Sequence, residues 1–252
     1  MPGLLHEKHA LVVGASSGIG RAIALRLAEE GARVVVAARR EKEAADVVAR
    51  IIEGGGTACF QPVDVGDTSA VRALVHAAVA AYGSLHVAVN NAGIAGTPFV
   101  PTADYEEAIF DAVIDTNLKG LWRCMKYEIP QMADGGAIIN MSSIAGLGAN
   151  EMMGCAYTAS KHAIIGMTKT AAREYAGRGI RINAICPGVI TTEIAERSFL
   201  HEERVARKVL KMHPLGRLGT PEEVADAVLW MACGQSSFMT GHALVLDGGA
   251  SC

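Results

Sequence analysis

The chain has 252 residues, half of them hydrophobic and 19% charged, which is enough apolar material for a large buried core and too much for a disordered polymer. A net charge of −3 and a pI near 6.2 offer no general positive field for nucleic acid or anionic lipid, so neither is an expected partner. Mean hydropathy is +0.26, yet Gly, Ser, Arg or Glu breaks every apolar stretch short of the roughly 18 residues that a membrane-spanning helix needs.

In chain order, short β-rich apolar runs alternate with helical periodicity. Strands are predicted at 10–13, 33–37, 58–63, 85–89, 137–141, 181–185 and 243–246. A helix over 19–30 stops at Gly31, and another starts at Asp67-Thr68, runs to about 82 and stops at Gly83. From Tyr157 the spacing of Ala163, Ile164, Met167, Ala171 and Tyr175 predicts an amphipathic helix ending near Gly177. The charged stretch at about 192–213 interrupts the alternation ahead of a helix start at Pro221 and reads as a lid insertion. No linker divides the chain and no repeat of fixed period appears, so one domain over 1–252 is expected. Repeated β-α units of this kind predict an α/β fold: a doubly wound, Rossmann-type, seven-stranded parallel sheet with helices on both faces. The first residues show no basic stretch followed by an apolar one, and the cytoplasm is the expected location. Six scattered cysteines and eight histidines without ligand spacing predict no metal site.

After the first strand the chain reads Gly14-Ala15-Ser16-Ser17-Gly18-Ile19-Gly20 and runs straight into a helix. Glycine lets the backbone turn sharply and approach a ligand, while free N–H groups and the positive end of the helix dipole face phosphate oxygens. Ser16 and Ser17 add hydroxyl donors. The spacing is G-x-x-x-G-x-G rather than the usual dinucleotide G-x-G-x-x-G, implying a different Rossmann subclass. An acid at the end of the second strand would grip the ribose hydroxyls of NAD; Arg39 and Arg40 stand there instead and suit a 2′-phosphate, favouring NADP(H) over NAD(H). Asp64 and Val65 after the third strand, and Asn91, Ala92 and Gly93 after the fourth, fall at the carboxyl edge of the sheet where ligands collect.

Tyr157 and Lys161 lie four residues apart, on one face of a helix. A neighbouring ammonium favours the phenolate, so Lys161 is expected to draw down the Tyr157 pKa and fit it to exchange a proton with a substrate oxygen. Ser143 can hold that oxygen, and Asn117 can anchor a water that carries protons inward from Lys161.

Together these residues resemble the short-chain dehydrogenase/reductase family along essentially the whole chain. The turn from Gly14 to Gly20, Asp64, Asn90 to Gly93, Asn117, Ser143, Tyr157 with Lys161, and Pro187-Gly188 with Thr192 all occur in family order. The resemblance implies a catalytic tetrad of Asn117, Ser143, Tyr157 and Lys161, with Lys161 also holding the nicotinamide ribose. It implies that Pro187, Gly188, the Ile190 backbone and Thr192 line the nicotinamide end, with Ile190 and Thr192 binding the carboxamide so that the pro-S hydride is transferred. It also implies a homotetramer. Two departures stand out. Val13 replaces the usual Thr before the first glycine, and the Ser143–Tyr157 interval is one residue longer than is commonest, leaving Ser142 as a rival to Ser143; Ile144-Ala145-Gly146 favours Ser143.

The pocket walls are expected from 95–99, 147–156 and the lid, where Met152, Met153, Ile194, Phe199 and Leu200 suit a hydrophobic ketone or secondary alcohol. The alternatives are a 3-oxoacyl-carrier-protein reductase, for which Arg173 and Arg178 supply some positive charge; a sugar or polyol dehydrogenase, which would want a more polar pocket; and a non-catalytic NADP-binding redox sensor, which would not need Tyr157 and Lys161.

Overall fold

A computed structural model describes residues 2–252, with the backbone alone described at Phe199. Seven strands, β1 (His9–Val13), β2 (Arg33–Ala38), β3 (Thr57–Pro62), β4 (Leu85–Asn90), β5 (Met132–Met141), β6 (Arg181–Pro187) and β7 (Ala243–Leu246), form one sheet in the order β3-β2-β1-β4-β5-β6-β7. Every pairing is parallel. The Rossmann-type α/β fold expected from the sequence is the fold observed.

The strands read as unbroken apolar runs because both sheet faces are buried. Along β1, Ala10 and Val12 join one core and Leu11 and Val13 the other; on β2, Val34 and Val36 alternate likewise with Val35 and Ala37. Helices α1 (Gly18–Glu29), α2 (Glu41–Glu53) and α9 (Pro221–Ala232) cover the first face. The second is covered by α3 (Thr68–Tyr82), α5 (Gly120–Glu128) and α6 (Gly154–Tyr175). Burial of this kind is worth about 25 cal/mol per Å² of apolar surface, so the two cores supply the main stabilisation.

Local signals set most boundaries. Asp67 caps α3 by accepting from the Ser69 and Ala70 amides, and Gly83 ends it at φ 90°. Three expectations need adjustment. β5 starts at Met132 rather than 137, because Met132 pairs with Leu85 ahead of a register shift where Asp134-Gly135-Gly136 masks the apolar pattern. The helix expected from Tyr157 begins at Gly154 and passes through a 3₁₀ turn to a left-handed stop at Gly179 rather than Gly177. Between β4 and β5, a polar stretch to which the sequence assigned no element is helical: α4 (Glu107–Val113), a π-helical segment (Ile114–Lys119) and α5 follow with right-handed helical backbone at the joints.

The stretch at about 192–213 contains α7 (Glu193–Ala195), a π-helical turn (Glu196–Leu200) and α8 (Glu203–Lys211). Among the described residues, no helix is long and apolar enough to cross a membrane, and no cluster of three metal-ligating side chains occurs.

Helix α9 opens with a reciprocal cap. The Thr220 hydroxyl accepts from the Glu223 amide at 3.3 Å, and the Glu223 carboxylate accepts from the Thr220 amide at 2.9 Å. Arg217 adds two bonds to the same carboxylate, pulling the Glu223 pKa down to about 2. Thr220→Ala is expected to lower stability by about 1 kcal/mol, read as a shift in the urea unfolding midpoint at unchanged slope.

Candidate active site

β1 and β4 are neighbours in the sheet, yet the chain leaves β1 for α1 on one face and reaches β4 from α3 on the other. Such a reversal opens a crevice at the carboxyl ends of the strands. A cavity of about 500 Å³ lies there.

At one end the glycine turn is held by its neighbours. Gly14 and Ala15 donate backbone N–H groups to Ala37 O at 2.8 and 3.1 Å, and the Asn91 amide donates to Gly14 O at 2.9 Å. Asn91 thereby braces the turn that Val13 cannot brace with a hydroxyl. Gly14 has φ 84°, and a Cβ there would come 2.7 Å from Ala92 N; one at Gly20 would come 2.1 Å from Gly14 O. Gly20 thus allows the turn to fold onto α1 and, unlike Gly14, Gly18 and Ile19, is not in the cavity wall. α1 begins after Ser17 with no side-chain cap on its first amides. Those amides, the Ser16 and Ser17 hydroxyls and the wall residues Arg39 and Arg40 converge on one end of the cavity. Arg40 donates to both serine hydroxyls and ion-pairs with Glu43 at 3.4 Å and Glu193 at 3.5 Å. This cradle of small residues, free amides and guanidinium fits a phosphate-bearing nucleotide.

Asp64 and Val65 also line the cavity; Asp64 accepts from the Gly66 amide at 2.9 Å, and the Val65 carbonyl accepts from buried Arg123 at 3.0 Å. Ala92 and Gly93 continue the wall. A Cβ on Gly93 would come 3.2 Å from Asn117 Oδ1, tight enough to crowd it, and would make ordinary contact at 3.8 Å with Lys161 Nζ.

α6 and β5 supply the other end. Lys161 is buried and donates from Nζ to Met141 O at 2.8 Å, while Nζ sits 5.4 Å from the Tyr157 ring centre. Burial pulls the Lys161 pKa down to about 8. Burial also pushes the Tyr157 phenol above its ordinary value, against a smaller downward pull from the Ser143 hydroxyl. The net direction is therefore opposite to the one expected from Lys161: desolvation is the largest effect on both groups and holds the phenol in its neutral form. Ser142 and Ser143 separate by role. Ser142 is buried and donates to Lys161 O at 2.9 Å; Ser143 lines the cavity beside Tyr157. Gly146 lets this turn meet α6, since a Cβ there would lie 2.7 Å from both Ser142 Oγ and Lys161 O.

Asn117 sits in the π-helical segment, fully buried and outside the cavity wall. Its side chain accepts from Ile94 N at 2.8 Å and donates to Ile94 O at 2.9 Å and Ser160 Oγ at 3.3 Å. With those bonds made, the side chain holds the loop after β4.

Pro187, Gly188, Ile190 and Thr192 line the cavity between β6 and the stretch expected to be a lid, with Thr192 capping α7 by accepting from Ala195 N at 3.2 Å. Met152, Met153 and Ile194 are in the wall as expected; the Phe199 side chain lies outside the described residues. Tyr157, Met152, Met153, Val189, Leu200 and Val209 pack in one apolar cluster. The sequence reading missed His213, which is buried in the wall. Its Nδ1–H donates to Val209 O at 2.8 Å and its Nε2 accepts from Val189 N at 3.2 Å, tying α8 to the end of β6. Glu193, Arg197 and Asn150 also line the wall, in the lid and the 147–156 segment expected to supply it. No motif marks these positions; their place in the charged 192–213 stretch, or in the long Ser143–Tyr157 interval, was the available signal.

A family model described as "Enoyl-(Acyl carrier protein) reductase" matches residues 14–251. Cyclohexanol dehydrogenase of Acinetobacter sp. (strain SE19) is 41% identical over 251 residues, spanning 98% of this chain and 96% of that protein. The 3-oxoacyl-[acyl-carrier-protein] reductase FabG of Staphylococcus aureus is 40% identical over 245 residues, spanning 96% and 97%. Among solved structures, levodione reductase superposes with a TM-score of 0.93 at 31% identity and 98% coverage of both chains. A short-chain dehydrogenase/reductase from Serratia marcescens BCRC 10948 gives 0.93 at 32% identity and 100% coverage of both.

The buried ammonium has a pH signature. Lys161 has a folded-state pKa of about 8 against an ordinary value of 10.5, so its charge destabilises the fold below the first value and the cost fades as pH rises toward the second. In denaturant titrations of the protein without added ligand, the stability of Lys161→Met relative to wild type is expected to be greatest below about pH 8 and to decline from there toward about pH 10.5.

Proposed function

The chain belongs to the short-chain dehydrogenase/reductase family, and on that basis we propose that it is an NADP(H)-dependent oxidoreductase that interconverts a hydrophobic ketone and its secondary alcohol. The observation that carries this reading is the position of Tyr157, half-buried beside Ser143 and Lys161 on the cavity wall and packed in an apolar cluster with two methionines. The chemistry that a bound reduced nicotinamide supplies is a hydride for the carbonyl carbon.

The protein's part is to bind, orient and move one proton. Tyr157 Oη donates its proton to the carbonyl oxygen as that oxygen gains charge, and Ser143 Oγ donates a hydrogen bond to the same oxygen. A phenol whose pKa burial has raised is fully protonated at neutral pH, the state required of a general acid in the reducing direction. Lys161, fixed by Met141 O, supplies positive charge that stabilises the phenolate left behind. Asn117 holds the loop through Ile94 so that Gly93 leaves room for the ribose side of the cofactor.

Gly14, Ser16, Ser17, Gly18 and the first amides of α1 would hold the pyrophosphate, with Asn91 and Ala92 behind the turn. Asp64 and Val65 would flank the adenine. Ile190 and Thr192 would hold the carboxamide. Arg39 and Arg40 meet a 2′-phosphate with two guanidinium groups where an NAD enzyme would present an acid. The reading of an apolar substrate is supported by the cyclohexanol dehydrogenase relative, and by Met152, Met153 and Ile194 in the wall. The segment from α7 through α8 acts as the lid of a single domain. Exposed Phe110, Trp122, Phe238 and Val245 support contact between copies of the chain, read here as a homotetramer, and the cytoplasm is its proposed location.

Tyr157→Phe is expected to lower kcat for reduction of cyclohexanone by NADPH at least about 100-fold while NADPH still binds, measured by quenching of intrinsic fluorescence. Unchanged turnover would remove Tyr157 from the chemistry. Arg39→Asp is expected to invert the ratio of kcat/KM for NADPH over NADH; a preference for NADH in the unaltered protein would refute the arginine assignment. Light scattering is expected to give four times the 26.3 kDa chain mass.

A further inference from the structure

Glu128, the last residue of α5, is completely buried and belongs to none of the chemistry above. Its Oε2 accepts from Asn90 Nδ2 at 3.0 Å. The same Nδ2 donates to Asn140 Oδ1 at 3.1 Å, and Asn140 Nδ2 donates to Thr168 Oγ1 at 3.0 Å. A polar chain therefore crosses the core from α5 through β4 and β5 to α6. Among the described residues, two buried side-chain atoms lack any partner, Glu128 Oε1 and Asn90 Oδ1. Both are acceptors if the carboxyl is ionised, and both belong to the pair already joined through Nδ2 and Oε2. One proton on Oε1 turns an unmatched acceptor into a donor for the other and satisfies both.

Among the described residues, no cation takes up a charge at this position. On α5, Arg123 is directed to Val65 O and Asp115, Lys126 lies over the Trp122 and Tyr127 rings, and the buried Cys124 thiol is itself pushed up. β4 and β5 face Glu128 with Asn90 and Asn140, and α6 with Thr168; Lys169 and Arg173 of α6 are exposed, as are Arg72 and His76 of α3. Arg178 donates to Ile129 O, Met132 O and Asp134. The C-terminal end of a helix also disfavours a negative charge, and an unpaired buried carboxylate is among the costliest groups a core can hold.

We propose that Glu128 is carried as a neutral carboxylic acid whose Oε1 proton is donated to Asn90 Oδ1, closing a cyclic acid–amide pair that positions the Asn90–Gly93 turn against the glycine turn. Asn90 is followed directly by Asn91, whose amide holds Gly14 O and whose N–H donates to Val13 O at 3.0 Å. Glu128 is a positioning residue: it acts on the cofactor cradle through Asn90, and ionisation loosens that cradle.

Burial raises the Glu128 pKa to about 7 from an ordinary 4.5. The neutral acid thus contributes stability that is complete below 4.5, is lost between 4.5 and about 7, and is gone above. Glu128→Gln mimics the neutral acid, since its amide can donate to Asn90 Oδ1 and accept from Nδ2 at any pH.

The test is an infrared titration of the full-length protein from about pH 5 to about pH 9, subtracting Glu128→Gln. A protonated-carboxyl stretch that is lost as pH rises through about 7 is expected in the wild type alone. The thermal midpoint of Glu128→Gln should gain on wild type across pH 4.5 to about 7 and hold level beyond. From about pH 6 to about pH 9, the ratio of the wild-type KM for NADPH to that of Glu128→Gln should rise several-fold, with the ratio of kcat values unchanged, since Lys161 titrates alike in both. That last arm rests on the nicotinamide reading; a protein with the carboxyl band and no NADPH binding refutes that reading and leaves this one standing. Absence of the band at about pH 5, or a midpoint difference that ignores pH, overturns the neutral acid. A band with equal KM profiles overturns the positioning role. If Glu128→Gln does not fold, the wild-type band and its pH dependence still decide.

Discussion

The site depends on where a single ammonium can be held. Lys161 is buried on α6 with one acceptor, the carbonyl of Met141 at the last residue of β5, so helix and strand must meet at that point for the charge to be tolerated. Ser142 reinforces the junction by donating to the carbonyl of Lys161 itself, and Gly146 lets the intervening turn come close enough. Once Lys161 is fixed, Tyr157, one helical turn earlier, faces the cleft, and Ser143 is presented beside it. The same burial sets the electrostatics, lowering the lysine and raising the phenol toward the neutral form of each.

At the opposite end of the cleft, the constraint is steric. Backbone from β1, β2 and β4 converges on the glycine turn, and neither Gly14 nor Gly20 can take a Cβ without meeting main-chain atoms. The two ends are linked through the polypeptide between them. Asn91 holds the glycine turn, Gly93 abuts Asn117 and Lys161, and Asn117 clamps Ile94. A displacement of the Asn90–Gly93 turn is therefore felt at both the phosphate cradle and the lysine, which is why the buried carboxyl behind Asn90 has consequences beyond stability.

Much of this was legible in the sequence because it is encoded locally. Unbroken apolar runs mark strands buried on both faces, Asp67 and Gly83 bracket α3, and the glycine spacing marks a turn into a helix. The order of Tyr157, Lys161, Ser143 and Asn117 along the chain carried the family resemblance. What stayed hidden depends on the fold. The start of β5 is masked by Asp134-Gly135-Gly136, and the π-helical segment that carries Asn117 has no signature in residue types. Reading Lys161 as lowering the phenol treated the pair as though in water, whereas desolvation outweighs their mutual effect in the fold. His213 gave no motif because its partners are backbone atoms, the Val209 carbonyl one turn earlier and the Val189 amide 24 residues away, and backbone atoms leave no mark in residue types.

In the proposed reaction, hydride leaves a nicotinamide bound along this cleft and reaches a carbonyl carbon held at Tyr157. The most direct measurement is mass-spectrometric analysis of the alcohol formed from cyclohexanone with NADPH carrying deuterium at the pro-S position of the nicotinamide. One deuterium is expected on the carbinol carbon of essentially every product molecule, together with a slower single turnover than with unlabelled cofactor. Product free of deuterium, or no alcohol from any ketone with either nicotinamide, would contradict it.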